Sequence, residues 1–185
     1  MTSEEFSYEI KIPKERVAVL IGKGGETKKD IEESTSSYID VDSKEGDVII
    51  KGPDSLKIFT ALNVVRAIGR GFNPDIALLL LKSDYSLELL NISDYVGKST
   101  NKTIRFKGRI IGKEGKSRQV IEELSETYIS VYGKTVGIIG MPENVSAARR
   151  AIESLLGGAP HSHVYKWLEK RRTQMKIEER SPFWV

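Results

Sequence analysis

Gly108-Arg109-Ile110-Ile111-Gly112-Lys113-Glu114-Gly115-Lys116-Ser117-Arg118 is the stretch whose reading decides the fold. Two apolar residues precede a Gly-x-x-Gly turn with lysine at its first x, and a polar run follows. Val19-Leu20-Ile21-Gly22-Lys23-Gly24-Gly25-Glu26-Thr27-Lys28 repeats the arrangement 90 positions earlier. A turn opened and closed by glycine presents backbone N–H groups outward and has no Cβ at either end to hold a polyanion off. A helix starting behind the turn adds the positive end of its dipole.

The repeat runs on past the loop. Ile31-Glu32-Glu33 returns as Ile121-Glu122-Glu123, and Tyr38-Ile39-Asp40-Val41 as Tyr128-Ile129-Ser130-Val131, both 90 apart. Ile49-Ile50 then matches Ile138-Ile139 and Pro53 matches Pro142 at 89, which implies one residue lost in the turn between. A fixed offset held this far marks two copies of one unit, too long to be a solenoid repeat. A chain of 185 residues accommodates two small domains of this kind. We place the first at residues 1–82 with its connecting helix, the second at 83–160, and a C-terminal helix and tail at 161–185.

Each copy has the pattern β-α-α-β-β-α. Phe6 to Ile12 alternates as a half-buried strand does, and Pro13 ends it. Val17, Leu20 and Ile21 follow at helical spacing up to Gly22. Glu26 to Thr35 reads as a second helix with Ile31 inward and Asp30, Glu32 and Glu33 outward. Tyr38 to Asp42 and Val48 to Lys51 form a hairpin around Gly46. Asp54 caps a third helix whose core face is expected at Leu56, Phe59, Leu62 and Val65, with Gly69 and Gly71 ending it. Asn73-Pro74 then opens a short apolar helix, Asp75 to Leu81. Ser86 to Ile92 is the next strand, and Asp94 to Thr103 reads as a polar loop before the second copy. Pro142 to Leu156 supplies that copy's last helix. His161 to Arg180 is a further helix, with Val164, Trp167, Leu168, Arg171 and Met175 along one side. Ser181-Pro182-Phe183-Trp184-Val185 has no readable structure, and its aromatics are candidates for pinning it into a groove.

Lys and Arg number 29 against 26 Asp and Glu, a near balance that hides where the charge sits. Lys98 to Arg118 holds eight basic residues and one acid, a net +7, whereas the matching window Tyr8 to Lys28 is only +2. A basic stripe on a repeated glycine loop points to a polyanion. There is no cysteine, hence no disulfide and no thiolate metal site. No secretory signal opens the chain, and the longest apolar run, Ile76 to Leu81, is too short to span a bilayer. A cytoplasmic protein without membrane contact is expected. Gly115-Lys116-Ser117 mimics the end of a phosphate-binding P-loop, but that motif needs glycine at position 110, which is isoleucine. No duplicated acid, histidine or cysteine cluster suggests a catalytic centre, so no enzyme and no cofactor is expected. His161 and His163 are two apart and do not share a helix face.

This order of elements, with Ile-Gly-x-x-Gly between the first two helices, resembles the type I KH domain, a module that binds single-stranded nucleic acid. The resemblance implies an α+β fold of two tandem type I KH domains, each a three-stranded antiparallel sheet with helices on one face, plus the C-terminal helix. It implies that each loop clamps about four nucleotides by their backbone while the adjacent strand reads bases. Asp94-Tyr95-Val96-Gly97-Lys98-Ser99, Lys107-Gly108-Arg109-Ile110-Ile111-Gly112, Ser130-Val131-Tyr132-Gly133-Lys134-Thr135-Val136 and Gly157-Gly158-Ala159-Pro160 are similar to a narrower group. This is the Dim-two, or partner-of-Nob-one, family of small-ribosomal-subunit assembly factors, which act near the rRNA 3′ end. The intact first loop suits an archaeal member.

The resemblance implies these contacts. Gly22, Lys23, Gly24, Gly25 and Lys28 form the first clamp, and Gly112, Lys113, Glu114, Gly115, Lys116 and Arg118 the second. Arg105, Lys107 and Arg109 are further phosphate contacts. Ile39 and Val41, with Ile129 and Val131, line the base grooves. Tyr38 and Tyr128 are candidates for stacking on bases, with a structural role the favoured reading. The chain departs from the general KH pattern at Ser36 and Glu126, where glycine is usual, and at Lys28 and Arg118, where an apolar residue is common. The implied partners of an expected monomer are single-stranded small-subunit rRNA, a Nob-type endonuclease and the α subunit of translation initiation factor two. A twin-KH transcription or antitermination factor is the alternative, and it would have the permuted KH topology.

Overall fold

The computed structural model describes residues 6–180, with Glu179 and Arg180 followed by backbone alone; the tail from Ser181 lies outside the described residues. The chain divides into two compact units, Met1–Leu87 and Glu88–Val185.

In the first unit, β1 (Phe6–Lys11) leads into α1 (Lys14–Ile21), a single 3-10 turn at Lys23–Gly25, and α2 (Glu26–Thr35). Then come β2 (Tyr38–Val41), β3 (Asp47–Gly52) and α3 (Ser55–Gly69). The sheet order is β1-β3-β2, with β3 antiparallel to both neighbours and Ile39 opposite Ile50. Leu20, Ile31, Ile39, Val48, Ile50, Ile58, Val65 and Ile68 are buried between sheet and helices. This is the β-α-α-β-β-α order of a type I KH domain, not the permuted one.

Asp54 caps α3 as expected, its Oδ1 accepting from the N–H groups of Leu56 at 2.9 Å and Lys57 at 3.2 Å. The core face of α3 differs from the sequence expectation. Leu62 and Val65 are buried, but Leu56 is 77% exposed and Phe59 50%. A stripe spaced strictly by three residues winds around the helix, because three residues fall short of a full turn. Leu56 therefore ends up on the side opposite Val65. The buried face of α3 is formed by Ile58, Ala61, Leu62, Val64, Val65 and Ile68. Gly69 closes the helix where a Cβ would stand 2.7 Å from Ile12 Cγ2, so helix and strand can approach only there without a side chain.

The connection forms α4 (Pro74–Ala77) and a 3-10 turn at Leu78–Leu81. Ala77 and Leu80 are buried, and the other leucines are half-buried.

The second unit consists of β4 (Ser86–Asn91), α5 (Ser93–Val96), α6 (Thr100–Ile111), a 3-10 turn at Lys113–Gly115, α7 (Lys116–Ser125), β5 (Tyr128–Tyr132), β6 (Thr135–Gly140) and α8 (Pro142–Leu156). Its sheet order is β4-β6-β5. The polar stretch expected as a loop from Asp94 to Thr103 is partly helical. It makes one turn of α5, and then Ser99 Oγ accepts from Lys102 N at 3.4 Å to start α6 four residues earlier than α1 starts in the first copy. The extra turn buries only Thr103 and so has no apolar periodicity to reveal it.

The repeat drifts further than the sequence alignment implies. Ile129 lies opposite Ile138 as Ile39 lies opposite Ile50, which puts the third strands 88 apart. The third helices start at Ser55 and Pro142, 87 apart. The hairpin turn is thus two residues shorter in the second copy, and the strand-to-helix turn one residue shorter.

The twenty-residue α9 (His161–Arg180) packs on α7 and α8 with Val164 and Leu168 buried in the second core. Arg171 holds its far half, donating to Asn144 Oδ1 at 3.2 Å and to the Glu143 carbonyl at 3.0 Å. Trp167 is half-buried, with the Arg150 guanidinium 4.9 Å from its ring centre. No helix among the described residues is long and apolar enough to cross a membrane.

Candidate nucleic-acid interface

The two glycine loops have the same backbone. Gly22 and Gly112 adopt φ 76°, ψ 175° and φ 73°, ψ 176°, a region open in practice to glycine alone. A Cβ there would lie 2.8 Å from Thr27 N in the first copy and 2.7 Å from Ser117 N in the second. Gly25 and Gly115 are left-handed and serve as N-caps of α2 and α7. No side chain caps either helix. The first N–H groups, of Glu26 and Lys116, donate to the carbonyls of Lys23 and Lys113, which closes the turn. Those behind them point toward the loop with the positive end of the helix dipole. A Cβ at Gly24, Gly25 or Gly115 would meet nothing within 4 Å. The outer face of each loop is open to an approaching chain. Glu114, in place of Gly24, holds the left-handed conformation at φ 55°.

Lys23 and Lys113 are exposed at the tips, as are Glu114 and Lys116. The copies differ in what their cations already touch. In the first, Lys11 pairs with Asp47 at 3.0 Å, Lys14 with Glu45 at 3.5 Å and Lys28 with Glu32 at 3.8 Å. In the second, none of Lys98, Lys102, Arg105, Lys107, Lys113 and Lys116 forms an ion pair among the described residues. At the head of the following helix, Glu26 in the first copy is replaced by Lys116 in the second. The contrast read from the sequence is therefore one of mostly free cations in the second copy against mostly paired ones in the first.

Arg109 has a different task from the expected phosphate contact. Its Nε donates to the Leu155 carbonyl at 3.1 Å and its Nη2 to the Ala159 carbonyl at 2.7 Å, anchoring the C-terminus of α8. Arg16 does the same for α3, donating to Ile68 O at 2.8 Å and Phe72 O at 2.6 Å. The two arginines are not at matching repeat positions; they sit one helical turn apart along α1 and α6, which hid their common role. His161 Nε2 lies 2.8 Å from the Arg109 carbonyl and so belongs to the same junction.

Ile39 and Ile129 are also corrected as groove residues, since both side chains are sealed in their cores. Strand alternation turns them toward the helices, and Val41 and Val131, two residues on, share that face but lie nearer the strand ends and are only half-buried. The expected outward position of Glu32 is overturned too. Glu32 Oε1 accepts from Ile39 N at 2.7 Å, and Glu122 Oε1 from Ile129 N at 2.7 Å. These bonds tie the helix behind each loop to the edge strand beside it. Burial pushes the Glu122 carboxyl above its ordinary range, against the opposing effects of the Ile129 N–H and Arg118. Lys28 and Arg118 lie over these carboxylates, Arg118 Nε at 3.6 Å from Glu122 Oε2, and Lys28 also over the Tyr38 ring at 5.6 Å. The duplicated Ile-Glu-Glu triplet was the available signal for the strap, but the sequence does not show which glutamate turns inward.

Ser36 and Glu126, noted as standing where glycine is usual, are left-handed at φ 51° and φ 54°. They end α2 and α7 with their N–H groups bonded to the carbonyls of Glu32 and Glu122. Among the described residues no group of three or more His, Asp or Glu is placed to hold a metal.

Comparison with known proteins bears on this geometry. Residues 7–67 match the model of the KH domain, and residues 86–173 match that of the eukaryotic-type KH domain, type I. A KH domain-containing protein of Methanocaldococcus jannaschii is 50% identical over 171 residues, covering 90% of this chain and 74% of that protein. A pre-rRNA-processing protein pno1 of Emericella nidulans is 34% identical over 68% of this chain and 46% of its own length. Among solved structures, Dim2p in a complex of archaeal initiation factor eIF2alpha, Dim2p and rRNA from Pyrococcus horikoshii superimposes with a TM-score of 0.85. It is 45% identical, over 92% of this chain and 96% of that one.

Proposed function

The chain belongs to the Dim2p/Pno1 family of KH-domain proteins, and on that footing we propose that it is a non-enzymatic factor that clamps single-stranded RNA during assembly of the small ribosomal subunit. The observation that carries the reading is the duplicated loop. Each copy offers an uncapped helix N-terminus and glycines with open space above them, a shape suited to a phosphodiester backbone. In this reading Lys23 and Lys113 meet phosphate, with Lys28, Arg105, Lys107, Lys116 and Arg118 around them. Val41 and Val131 flank the bases, which leaves base reading mainly to backbone groups of β2 and β5.

The target we propose is the 3′-end region of small-subunit rRNA. The partner Dim2p shows in its Pyrococcus complex, the α subunit of translation initiation factor two, is proposed here as a partner, together with a Nob-type endonuclease. Cytoplasmic location and a monomeric state complete the proposal. Filter binding tests it. A single-stranded RNA should bind much more tightly than the same sequence in a duplex, because a narrow groove admits only unpaired bases. Equal affinity for the two forms would defeat the reading.

A further inference from the structure

We propose that the outer side of α8 and α9 holds a second, separate contact for RNA, a cleft between Arg150 and Trp167 that takes one unpaired base while Lys166 and Lys170 take the phosphates beside it. The inference rests on the RNA-binding reading above and goes beyond the two glycine loops to α9, which lies outside the repeat.

The first observation is the cleft itself. Arg150, Ser154, Ala159, His163, Val164 and Trp167 line a space of about 210 Å3. That is below the roughly 300–1,000 Å3 of sites for drug-sized ligands, so it suits a single flat ring. Its walls suit one chemically as well. Trp167 is half-buried, and the Arg150 guanidinium lies 4.9 Å from its ring centre. Bases stack on aromatic rings and on guanidinium planes alike. No residue of the glycine loops or of β5 lines the cleft.

The second is the charge around it. At about 100° per residue, His163, Lys166, Trp167 and Lys170 fall within about 100° of one another on α9, whereas Glu169 falls about 160° from Trp167. Arg150, Lys166 and Lys170 are exposed, and none of them forms an ion pair among the described residues. The acid one turn along α8 from Arg150, Glu153, is already engaged by Arg149 at 2.9 Å and by Tyr95 at 2.8 Å. Free cations in a row beside an aromatic face are the footprint of a nucleic-acid strand. An acidic peptide is the rival occupant, but one carboxylate needs only Arg150. The two lysines repeat about 6 Å apart along the helix axis, which suits a regular polyanion.

The third is that packing does not account for these cations. Val164 and Leu168 dock α9 into the second core, and Arg171 fixes its far half. By the offset of 87 between the third helices, Asn63 stands in the first unit where Arg150 stands in the second. No tryptophan occurs before Trp167. The cleft thus comes with α9 and belongs to the second unit alone.

The test uses the full chain with Trp184→Phe, which leaves Trp167 as the single tryptophan. Oligo(U) of about eight and about twenty nucleotides is titrated, the first long enough for the two loops and the second for the cleft as well. The longer strand should quench Trp167 fluorescence, and the shorter, at one equivalent, should not. Lys166→Glu with Lys170→Glu should abolish that quenching and weaken binding of the longer strand roughly tenfold. It should also flatten the log–log salt slope by about 1.4, at roughly 0.7 per phosphate contact. The shorter strand should bind this variant as it binds the parent. No quenching by the longer strand, or equal affinity of parent and lysine variant for it, overturns the cleft. So does a Glu-Glu-Phe-Glu-Glu peptide that binds as tightly as the longer strand, which would make the surface a protein site. Lys113→Asp read on the shorter strand keeps the two readings apart. A loss there leaves the clamp standing when the cleft fails, and no loss overturns the clamp whatever Trp167 reports.

Discussion

Glu122 shows how single residues couple fold to site. Its carboxylate receives the Ile129 N–H and faces Arg118, so it holds helix to strand and also restrains a cation beside the loop. Burial raises its native pKa above the unfolded value. The native state therefore favours the protonated form. The resulting stability is complete below the ordinary glutamate value of about 4.3 and is lost as pH rises through the raised native value. Glu122→Gln keeps an oxygen for the Ile129 N–H and never ionises. Its stability relative to the parent should improve as pH climbs from about 4 toward neutrality, followed by chemical denaturation at each pH; a difference independent of pH would refute this role. The same residue shows a limit of sequence reading. Glu32 and Glu122 were visible as part of the repeat, but a charged residue next to a buried isoleucine looks like any solvated helix position. Ser36 and Glu126 were legible as departures from glycine, and the structure adds that both keep glycine's left-handed backbone.

Elements with strong apolar periodicity were legible from the sequence. α8 and α9 run over the expected residues, because Val145, Ala148, Ile152 and Leu155 in the one and Val164 and Leu168 in the other repeat at helical intervals, and α2 does so with a single apolar residue, Ile31, fixed by the loop glycines before it and the repeat. Elements without that signal were not legible. The first turn of α6 has polar residues throughout and needed only the Ser99 cap to form. The face of α3 was misread because Leu56 and Phe59 are apolar yet unburied. The docking of α9 gives the prediction at this scale. Leu168 is fully buried in the second core, so Leu168→Ala should cost about 2–5 kcal/mol. Trp167 is half-buried and stacked by Arg150, so Trp167→Ala should cost less, about 1–2 kcal/mol. Urea unfolding of both variants measures this; equal stability to the parent would mean that the helix is not part of the core.

At the scale of the whole molecule, duplication has produced two clamps of the same shape and unlike charge. The first pairs Lys11, Lys14 and Lys28 with Asp47, Glu45 and Glu32 and leaves Lys23 at its tip unpaired, whereas the second leaves six cations unpaired among the described residues. The sequence revealed the excess of charge, but pairing is a matter of tertiary neighbours and could be read only from the fold. The most direct measurement of the account is the affinity of a single-stranded RNA of about eight nucleotides or more, long enough for both clamps, at several salt concentrations. Lys113→Asp with Glu114→Asp is compared with Lys23→Asp with Gly24→Asp. Aspartate is among the residues that tolerate the left-handed conformation of positions 24 and 114, and both loop tips face solvent, so both variants should fold. Each phosphate contact contributes roughly 0.7 to the log–log salt slope. The account predicts that both pairs weaken binding, and that the second pair costs more affinity and flattens the slope more. An equal or larger loss from the first pair would contradict the ranking, and no loss from either would contradict the RNA clamp itself.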